Sequence, residues 1–461
     1  MRSCEQVQIP PVVRRQPQMR PDGSVQAAPN RTGGPNRIAA SNRTVASNQV
    51  LHALPQGRIH GPLLVTTIVM VCYGLVMLFS ASMSDGYANR DGNPMYYVLR
   101  QSSITGAGLV IALIIALFFS VRFFDKLWMT AALYLFTSGL LVMVKIMGST
   151  TNGGQRWLNL GPIRFQPSEL AKLAAVFCFA GYASWVRRRR NAGKLKAKSP
   201  ARQFFLDGFV DILFPGFALL AWVGLIAWQP HLSGAIIMCF IVLTVFLSSG
   251  IRFKSFVSGF TMILILLVVV SLLVVTVLPM VVSKDEITTM VKENFAHVED
   301  RLDTFLNPEG ATSDELLQIR QSIIAIGSGG LSGIGLGEGR QKYNYLPESH
   351  NDFVFAIIGE ELGFVGTVSV VLLFIFFLIF GVSVAMGAAN PFSAILASGY
   401  TLLIVVQALL NIGVTTRVLP TTGISLPFFS YGGTANFFFL IAIGFVLCVS
   451  RSGQRPTRRQ I

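Results

Sequence analysis

Charged residues are scarce in this sequence. They make up 13% of its 461 residues, about half of the roughly 25% typical of soluble domains. With 52% of residues hydrophobic and a mean hydropathy of +0.59, that shortage excludes an ordinary soluble globular fold. Acids are the scarcer sign, 22 against 37 Lys and Arg. A net charge of +15 fits either a nucleic-acid partner or the cytoplasmic loops of a membrane protein. The positives map onto alternate loops between apolar runs, so no nucleic acid is implied. None of the five cysteines (Cys4, Cys72, Cys178, Cys239, Cys448) lies in a candidate outer loop. That excludes a disulfide framework, and their spacing excludes a metal-ligating set. They read as small buried hydrophobes. Lysine is missing from residues 1–60, which hold eight Arg among Pro, Gly, Asn and Gln. With so little apolar material, this segment reads as a disordered basic cytoplasmic tail. It holds no cleavable signal, because the first apolar run starts sixty residues in and is long enough to span.

What the sequence has in quantity is long apolar runs, several of them beyond the roughly 18 residues that mark a transmembrane helix. Ten spans are predicted, at about 61–83, 103–121, 128–148, 168–186, 210–228, 233–249, 254–282, 352–384, 391–416 and 426–449. The fold class is therefore an all-α integral membrane protein of ten transmembrane helices. Residues 61–450 form the membrane domain, and 451–461 a short tail. Arg187 to Arg190 with Lys194, Lys196, Lys198 and Arg202 form the strongest positive block. Arg122 and Lys126, Arg252 and Lys254, and Arg451 to Arg459 fall on the same side of the membrane. By the positive-inside rule that side is the cytoplasm and holds both termini. The loops 84–102, 149–167, 283–351 and 417–425 are then outside. No internal repeat is strong enough to suggest an inverted-repeat transporter.

The chain concentrates its few acids between spans seven and eight, in the large outer loop 283–351. Of the 22, 11 lie between Lys284 and His350. Long loops with structure of their own are usually functional. Ile287, Val291, Val298, Leu302 and Phe305 recur at helical spacing, which predicts an amphipathic helix on the membrane surface. Asn307-Pro308-Glu309-Gly310 ends it in a turn. A second helix over about Asp314 to Ile326 meets the glycine-rich run GSGGLSGIGLGEG. That run lacks the order of a phosphate loop and reads as a tight re-entrant turn packed against helices. Lys342, His350, Asp352 and Glu360 follow close to where the chain re-enters the membrane. An ionisable group is costly there without a partner or a substrate.

Other constellations carry two readings each. Arg156 beside Trp157 is a cation next to an interfacial aromatic, ordinary in itself. Pro167 and Ser168 open a span whose first turn places Glu169 and Lys172 at i and i+3. They are either a structural ion pair or a cation held for a pyrophosphate or carboxylate. His350 and Asp352 flank Asn351 at the mouth of span eight, as caps or as groove lining. Of Glu360 and Glu361, one is expected to pair with a cation rather than do chemistry. Ser425, Ser430 and Thr434 with Gly432 and Gly433 suit close helix packing through small residues.

Three stretches together resemble the signatures of the SEDS family, the FtsW, RodA and SpoVE proteins. They are RWLNLGPIRFQPSELAKLA, GGLSGIGLGEGRQKYNYLPESHNDFVFAIIGEELGFVG (Gly329 to Gly366) and GISLPFFSYGGTAN (Gly423 to Asn436). The likeness covers roughly residues 61–450 in order. It implies a peptidoglycan glycosyltransferase of the bacterial plasma membrane. Such enzymes polymerise lipid II, a disaccharide-peptide on an undecaprenyl pyrophosphate, into glycan strands beside a class B penicillin-binding protein. Divisome or elongation-complex membrane proteins are further partners on this resemblance. A substrate with a polyprenyl tail approaches sideways through lipid, so the site should be a groove beneath the outer loop. Arg156, Lys172 and Lys342 are the cations to offset the pyrophosphate leaving group. Trp157, Glu169, His350, Asp352 and Ser425 complete the expected substrate contacts. No cofactor is required, and a divalent cation at the pyrophosphate is left open.

The sequence departs from the family at the acid. The family's catalytic Asp lies in a pattern like NPxxDPxGxGYQ, whereas NPEGATSDELLQ stands at Asn307 to Gln318. An ungapped match puts Ala311 at the catalytic position. Asp314 is the nearest carboxylate and the assigned base, or else a helix cap; Glu309 and Asp303 follow. QPHLSG departs too, with His231 where many members have an acid. Two other functions stay in view: a lipid II flippase, and a weakly active member that regulates its penicillin-binding protein. QPHLSG and the long basic tail lean toward the FtsW/SpoVE branch.

Overall fold

The computed structural model describes residues 57–151, 154–160, 163–229, 232–281, 314–421 and 423–453. Seven long helices precede the large loop: α1 (Gly61–Asn89), α2 (Tyr96–Phe118), α3 (Leu127–Met147), α4 (Pro167–Asn191), α5 (Pro200–Trp228), α6 (Leu232–Ser248) and α7 (Phe253–Val281). After it come the loop helix α8 (Asp314–Ser328) and then α9 (Val354–Met386), α10 (Pro391–Thr415) and α11 (Gly433–Ser452). Among the described residues, nine of these helices are long and apolar enough to cross a membrane. The remaining predicted span corresponds to the shorter apolar stretch Ser233–Ser248 of α6. The chain is a multi-pass helical membrane protein. The amphipathic helix over Ile287 to Phe305, the NPEG turn, Ala311, Ser313 and His231 lie outside the described residues. So does nearly all of both tails.

Helix starts follow local chemistry. Asn390 precedes Pro391, and its Oδ1 accepts from the Ser393 N–H at 2.8 Å. Ser199 before Pro200 does the same for Arg202. Proline at the first helical position loses no hydrogen bond, and the cap satisfies an orphan donor. Three helices form the centre: 72% of the apolar window of α4, α10 and α11 is covered by protein, against 17% for α7. The outer helices turn Leu, Val and Phe outward, as suits a lipid surround. α9 is the longest helix, and it is broken at Gly363 (φ 64°, ψ −157°).

The glycine-rich run fills that break. The Ile334 and Gly335 N–H groups donate to the Glu360 and Glu361 carbonyls at 3.1 and 3.0 Å. Phe364 and Val365 in turn donate to the Gly330 and Leu331 carbonyls at 2.9 and 3.1 Å. The broken helix thus has its freed backbone groups satisfied by the loop. The approach demands glycine: a Cβ on Gly333 (φ 80°) would stand 2.1 Å from the Glu361 carbonyl oxygen. The re-entrant turn read from the sequence is present, packed against α9.

One element has no counterpart in the predicted spans. The segment before α4 forms a three-stranded antiparallel sheet of Ser149–Thr151, Gly154–Leu160 and Ile163–Phe165, with Ser149 opposite Trp157 and Leu158 opposite Phe165. Leu158 faces protein while its neighbour Asn159 faces out, the two-residue period of a half-buried strand. At the other end of the bundle the basic loops converge. Arg188 pairs with Asp125 at 2.6 Å, and Arg190 bridges Asp207 and Asp211 at 2.7 and 3.0 Å.

Candidate active site

The segment Gly423 to Asn436 ties together the ends of α4, α9 and α10. Its own turn is held by the Leu426 N–H on Ser430 Oγ (2.7 Å) and the Phe428 N–H on Asn436 Oδ1 (2.9 Å). The Tyr431 N–H donates to the His350 carbonyl at 2.8 Å. Asn411 on α10 donates from Nδ2 to the carbonyls of Asp352 (2.7 Å) and Ile424 (2.6 Å). One turn earlier on α10, Gln407 Nε2 reaches the Ser425 carbonyl at 3.3 Å, with Ser425 Oγ at 3.5 Å. Gln407 Oε1 accepts from Lys172 Nζ at 2.9 Å. Lys172 also pairs with Glu169 at 2.7 Å and lies over the Phe439 ring, 5.7 Å from its centroid. Glu169, Lys172, Gln407 and Ser425 therefore form one polar line through the bundle. It begins in buried groups and ends at Ser425, which is half-buried.

Beside it opens a cleft of about 340 Å3. Asp85 at the end of α1 accepts from the Tyr97 hydroxyl and, at 2.7 Å, from Asn89 Nδ2. Arg90 Nε reaches Tyr97 Oη at 3.3 Å. The Tyr97 ring lies 4.7 Å from His350 and 4.9 Å from Tyr431. Burial pushes the His350 imidazole below its usual range, partly offset by the Asp85 and Glu348 charges. Asp352 Oδ2 lies near Gly423, 3.4 Å from where a Cβ on that glycine would stand. The residue as a whole is partly exposed, but its carboxyl group is enclosed. Burial, with Glu348 adding repulsion, pushes that carboxyl up to about 7.

The third cluster is sealed. Lys342 Nζ donates to Glu361 Oε1 (2.8 Å), the Gly337 carbonyl (2.6 Å) and Ser80 Oγ (3.2 Å). Ser80 donates to the same carboxylate at 2.6 to 2.7 Å. Both charged side chains are 0% exposed. Of the two adjacent glutamates, Glu361 is the one paired with a cation, while Glu360 accepts the Arg340 and Gln341 N–H groups at 2.9 and 3.2 Å. An ammonium has three donors, so Lys342, placed among the substrate cations from the sequence, has none left to offer in this enclosure.

The structure brings Glu169, Lys172 and Ser425 into one network, and His350 and Asp352 to its border. Arg156 and Trp157 are half-buried on the middle strand of the three-stranded sheet, which packs against α3 and α4. Asp314 is the first residue of α8; its side chain lies outside the description. Sequence reasoning passed over Asp85, Tyr97, Tyr431, Gln407, Asn411 and Ser80. A signal existed for two of them: Gln407 and Asn411 are amides one turn apart on one face of an apolar span.

The sequence profile of the FtsW/RodA/SpoVE cell cycle proteins matches residues 62–455. The chain belongs to this family. A curated relative named probable peptidoglycan glycosyltransferase FtsW, from Coxiella burnetii, is 33% identical over 84% of the chain and 95% of that protein. Stage V sporulation protein E of Bacillus subtilis is also 33% identical, over 84% and 96%. Among solved structures, a peptidoglycan synthase complex that coordinates polymerization and crosslinking contains a chain of similar fold (TM-score 0.59, 26% identity, 86% and 99% covered). The rod shape determining protein RodA of Thermus thermophilus is similar too (TM-score 0.56, 25% identity, 86% and 98% covered). The three signature segments of this family member contribute to the polar line, the cleft and the sealed cluster, which are completed by Gln407 of α10 and by Ser80, Asp85, Arg90 and Tyr97.

Proposed function

We propose that the chain is a peptidoglycan glycosyltransferase that polymerises lipid II at the outer face of a bacterial plasma membrane during division or growth. The observation that carries this reading is the Glu169–Lys172–Gln407–Ser425 line, which joins two signature segments through Gln407 in a family whose relatives bear that enzyme name. In the reaction the acceptor sugar hydroxyl attacks the anomeric carbon of the donor. The bond from that carbon to the pyrophosphate oxygen breaks with inversion, and the polyprenyl pyrophosphate leaves. Lys172 and Arg156 offset the charge that develops on the leaving group. Trp157, His350, Asp352 and Ser425 line the path of the sugar, and Glu169 fixes Lys172. Lys342 acts one step back, by holding the loop and α9 together. The hydroxyl proton passes to a carboxylate assigned to Asp314, a general-base role worth about 10²–10⁴ in rate.

The proposed partner is a class B penicillin-binding protein among other membrane proteins of the division or elongation machinery. Both termini are placed in the cytoplasm on the count of positive loops; a cysteine at Ala192 reactive to an impermeant reagent on intact cells would reverse that. A divalent cation at the pyrophosphate would be held through one or two carboxylates and the substrate phosphates, and insensitivity of the reaction to chelators would remove it. The test of the function is purified protein given purified lipid II, with and without its partner. Glycan strands should form, and Asp314→Asn should slow them by at least about 100-fold, because Asn caps a helix about as well as Asp but takes no proton. Normal polymerisation by that variant would discard Asp314. One observation favours a second reading, regulation of the partner by a weak enzyme: Ala311 stands where the family pattern has its acid. A wild-type chain that makes no strands yet stimulates its partner's crosslinking would select it.

A further inference from the structure

A cavity of about 800 Å3 lies far from the candidate active site, at the end of the bundle where the basic loops meet. Its wall is formed by the last turns of α4, the loop Leu195 to Ser199, the first turns of α5, the turn Ser249 to Arg252 and the start of α10. Two chemistries share it. Tyr182, Ala183, Leu195 and Ile251, all half-buried, give an apolar side, and Arg187, Arg190, Lys196, Lys198 and Arg252 a cationic one. The two acids in the wall, Asp207 and Asp211, are already taken. Arg190 bridges both, Gln203 donates to Asp207 at 2.9 Å and Ser255 to Asp211 at 2.7 Å. Arg187, Lys196 and Lys198 have no ion pair among the described residues, and Arg252 stands 3.9 Å from Asp207. The helix starts at Pro200 and Pro391 add their positive ends to the same wall.

A cationic rim with an apolar wall, set where helices leave the membrane, suits an amphiphile that carries a phosphate. We propose that this cavity binds an anionic phospholipid of the adjoining leaflet, its phosphate among Arg187, Lys196 and Lys198 and its glycerol and upper acyl carbons against Ala183, Leu195 and Ile251. The chain's own tails are poor candidates for the site. Residues 1–56 hold seven Arg against two acids, and 454–461 hold three Arg and no acid, so a cationic rim repels both. A soluble phosphate compound shares the charge but leaves the apolar wall uncovered. Each basic residue near a membrane surface contributes appreciably to anionic-lipid affinity, and the phosphate prefers the unpaired cations to those already bridged.

The test is native mass spectrometry of the full-length protein in detergent, titrated with dioleoyl phosphatidylglycerol, dioleoyl phosphatidylcholine or glycerol phosphate. The wild type should retain phosphatidylglycerol at least about tenfold more tightly than R187Q/K196Q/K198Q. The charge-matched control R188Q/R189Q/K194Q should retain it like the wild type, because Arg188 pairs with Asp125, Arg189 lies over Trp185 and Lys194 is outside the wall. If the first triple variant is poorly folded, K196Q/K198Q in the exposed loop should still lose about fivefold. Equal loss in the control would show diffuse charge rather than a site and overturn the proposal. Equal retention of phosphatidylcholine, or displacement of the lipid by equimolar glycerol phosphate, would overturn it as well.

Discussion

Two lysine–glutamate pairs are buried among the described residues, and they are built to opposite plans. Lys342 and Glu361 form a closed set: each ammonium proton has an acceptor, Ser80 bridges the two, and neither side chain sees solvent. Lys172 and Glu169 form an open one. Lys172 has one carboxylate, one amide and an aromatic face, and through Gln407 the line continues to the half-buried Ser425. A charge whose donors are all spent holds structure. A charge at the head of a hydrogen-bonded line can exchange a partner for a phosphate oxygen with little reorganisation, which is what preorganised catalysis requires. The same residue types at similar burial therefore carry different work, and the difference lies in their remaining partners.

The comparison breaks most visibly at the closed pair. Removing one member of a buried, fully bonded ion pair costs about 3–5 kcal/mol, because the other charge stays behind. Lys342→Met should accordingly lower the thermal midpoint in detergent sharply and reduce the yield of monodisperse protein. Adding Glu361→Gln should recover most of the loss, since no bare charge then remains. A Lys342→Met protein that melts like the wild type but makes no glycan would move Lys342 to the open class.

Another acid at the site sharpens the contrast. Asp352 has no ion pair among the described residues; Asn411 holds its carbonyl, not its carboxylate. Its carboxyl is raised from 3.8 to about 7, so the folded state binds the proton more tightly than the unfolded chain does. Stability from this group is thus fully present below about 4 and is lost as pH rises toward 7. Asp352→Asn should remove that decline in melting temperature between pH 4 and pH 7, and flatten any inflection of the polymerisation rate near neutrality. An unchanged pH profile in the variant would mean that Asp352 is ionised throughout.

The smallest effect is expected at the link between Lys172 and Ser425. Gln407→Leu removes a charge-assisted hydrogen bond from Lys172 and a weaker neutral one to the Ser425 carbonyl but leaves the ion pair with Glu169. Its polymerisation should fall by about tenfold, with substrate affinity more affected than folding. A loss as large as that of Lys172→Met would make Gln407 a direct substrate contact.

Much of this arrangement was legible in the sequence because it depends on local pattern. Apolar runs of span length located the helices, apart from their ends: α2 starts at Tyr96 and α11 at Gly433, since caps and turns, not hydropathy, set those limits. Glu169 and Lys172 were readable as a pair because they are three residues apart on one helix. The re-entrant turn was readable from its glycines. What depends on distant pairing was not readable. Lys172 meets Gln407 across 235 positions and Lys342 meets Ser80 across 262, and no period connects such residues. The three-stranded sheet escaped because its strands of three to seven residues lie between two long apolar runs that dominate the pattern.

The central claim is that the open pair serves substrate while the closed pair serves the fold. The most direct test is the rate of lipid II polymerisation per folded molecule for the double variant Glu169→Gln/Lys172→Met, which removes both charges and leaves no buried ion uncompensated. The account predicts a protein that folds near the wild-type level and polymerises at least about 100-fold more slowly, with Lys342→Met/Glu361→Gln keeping most of its rate. Full polymerisation by the Glu169→Gln/Lys172→Met protein would contradict it, because the pair would then be structural like its sealed counterpart.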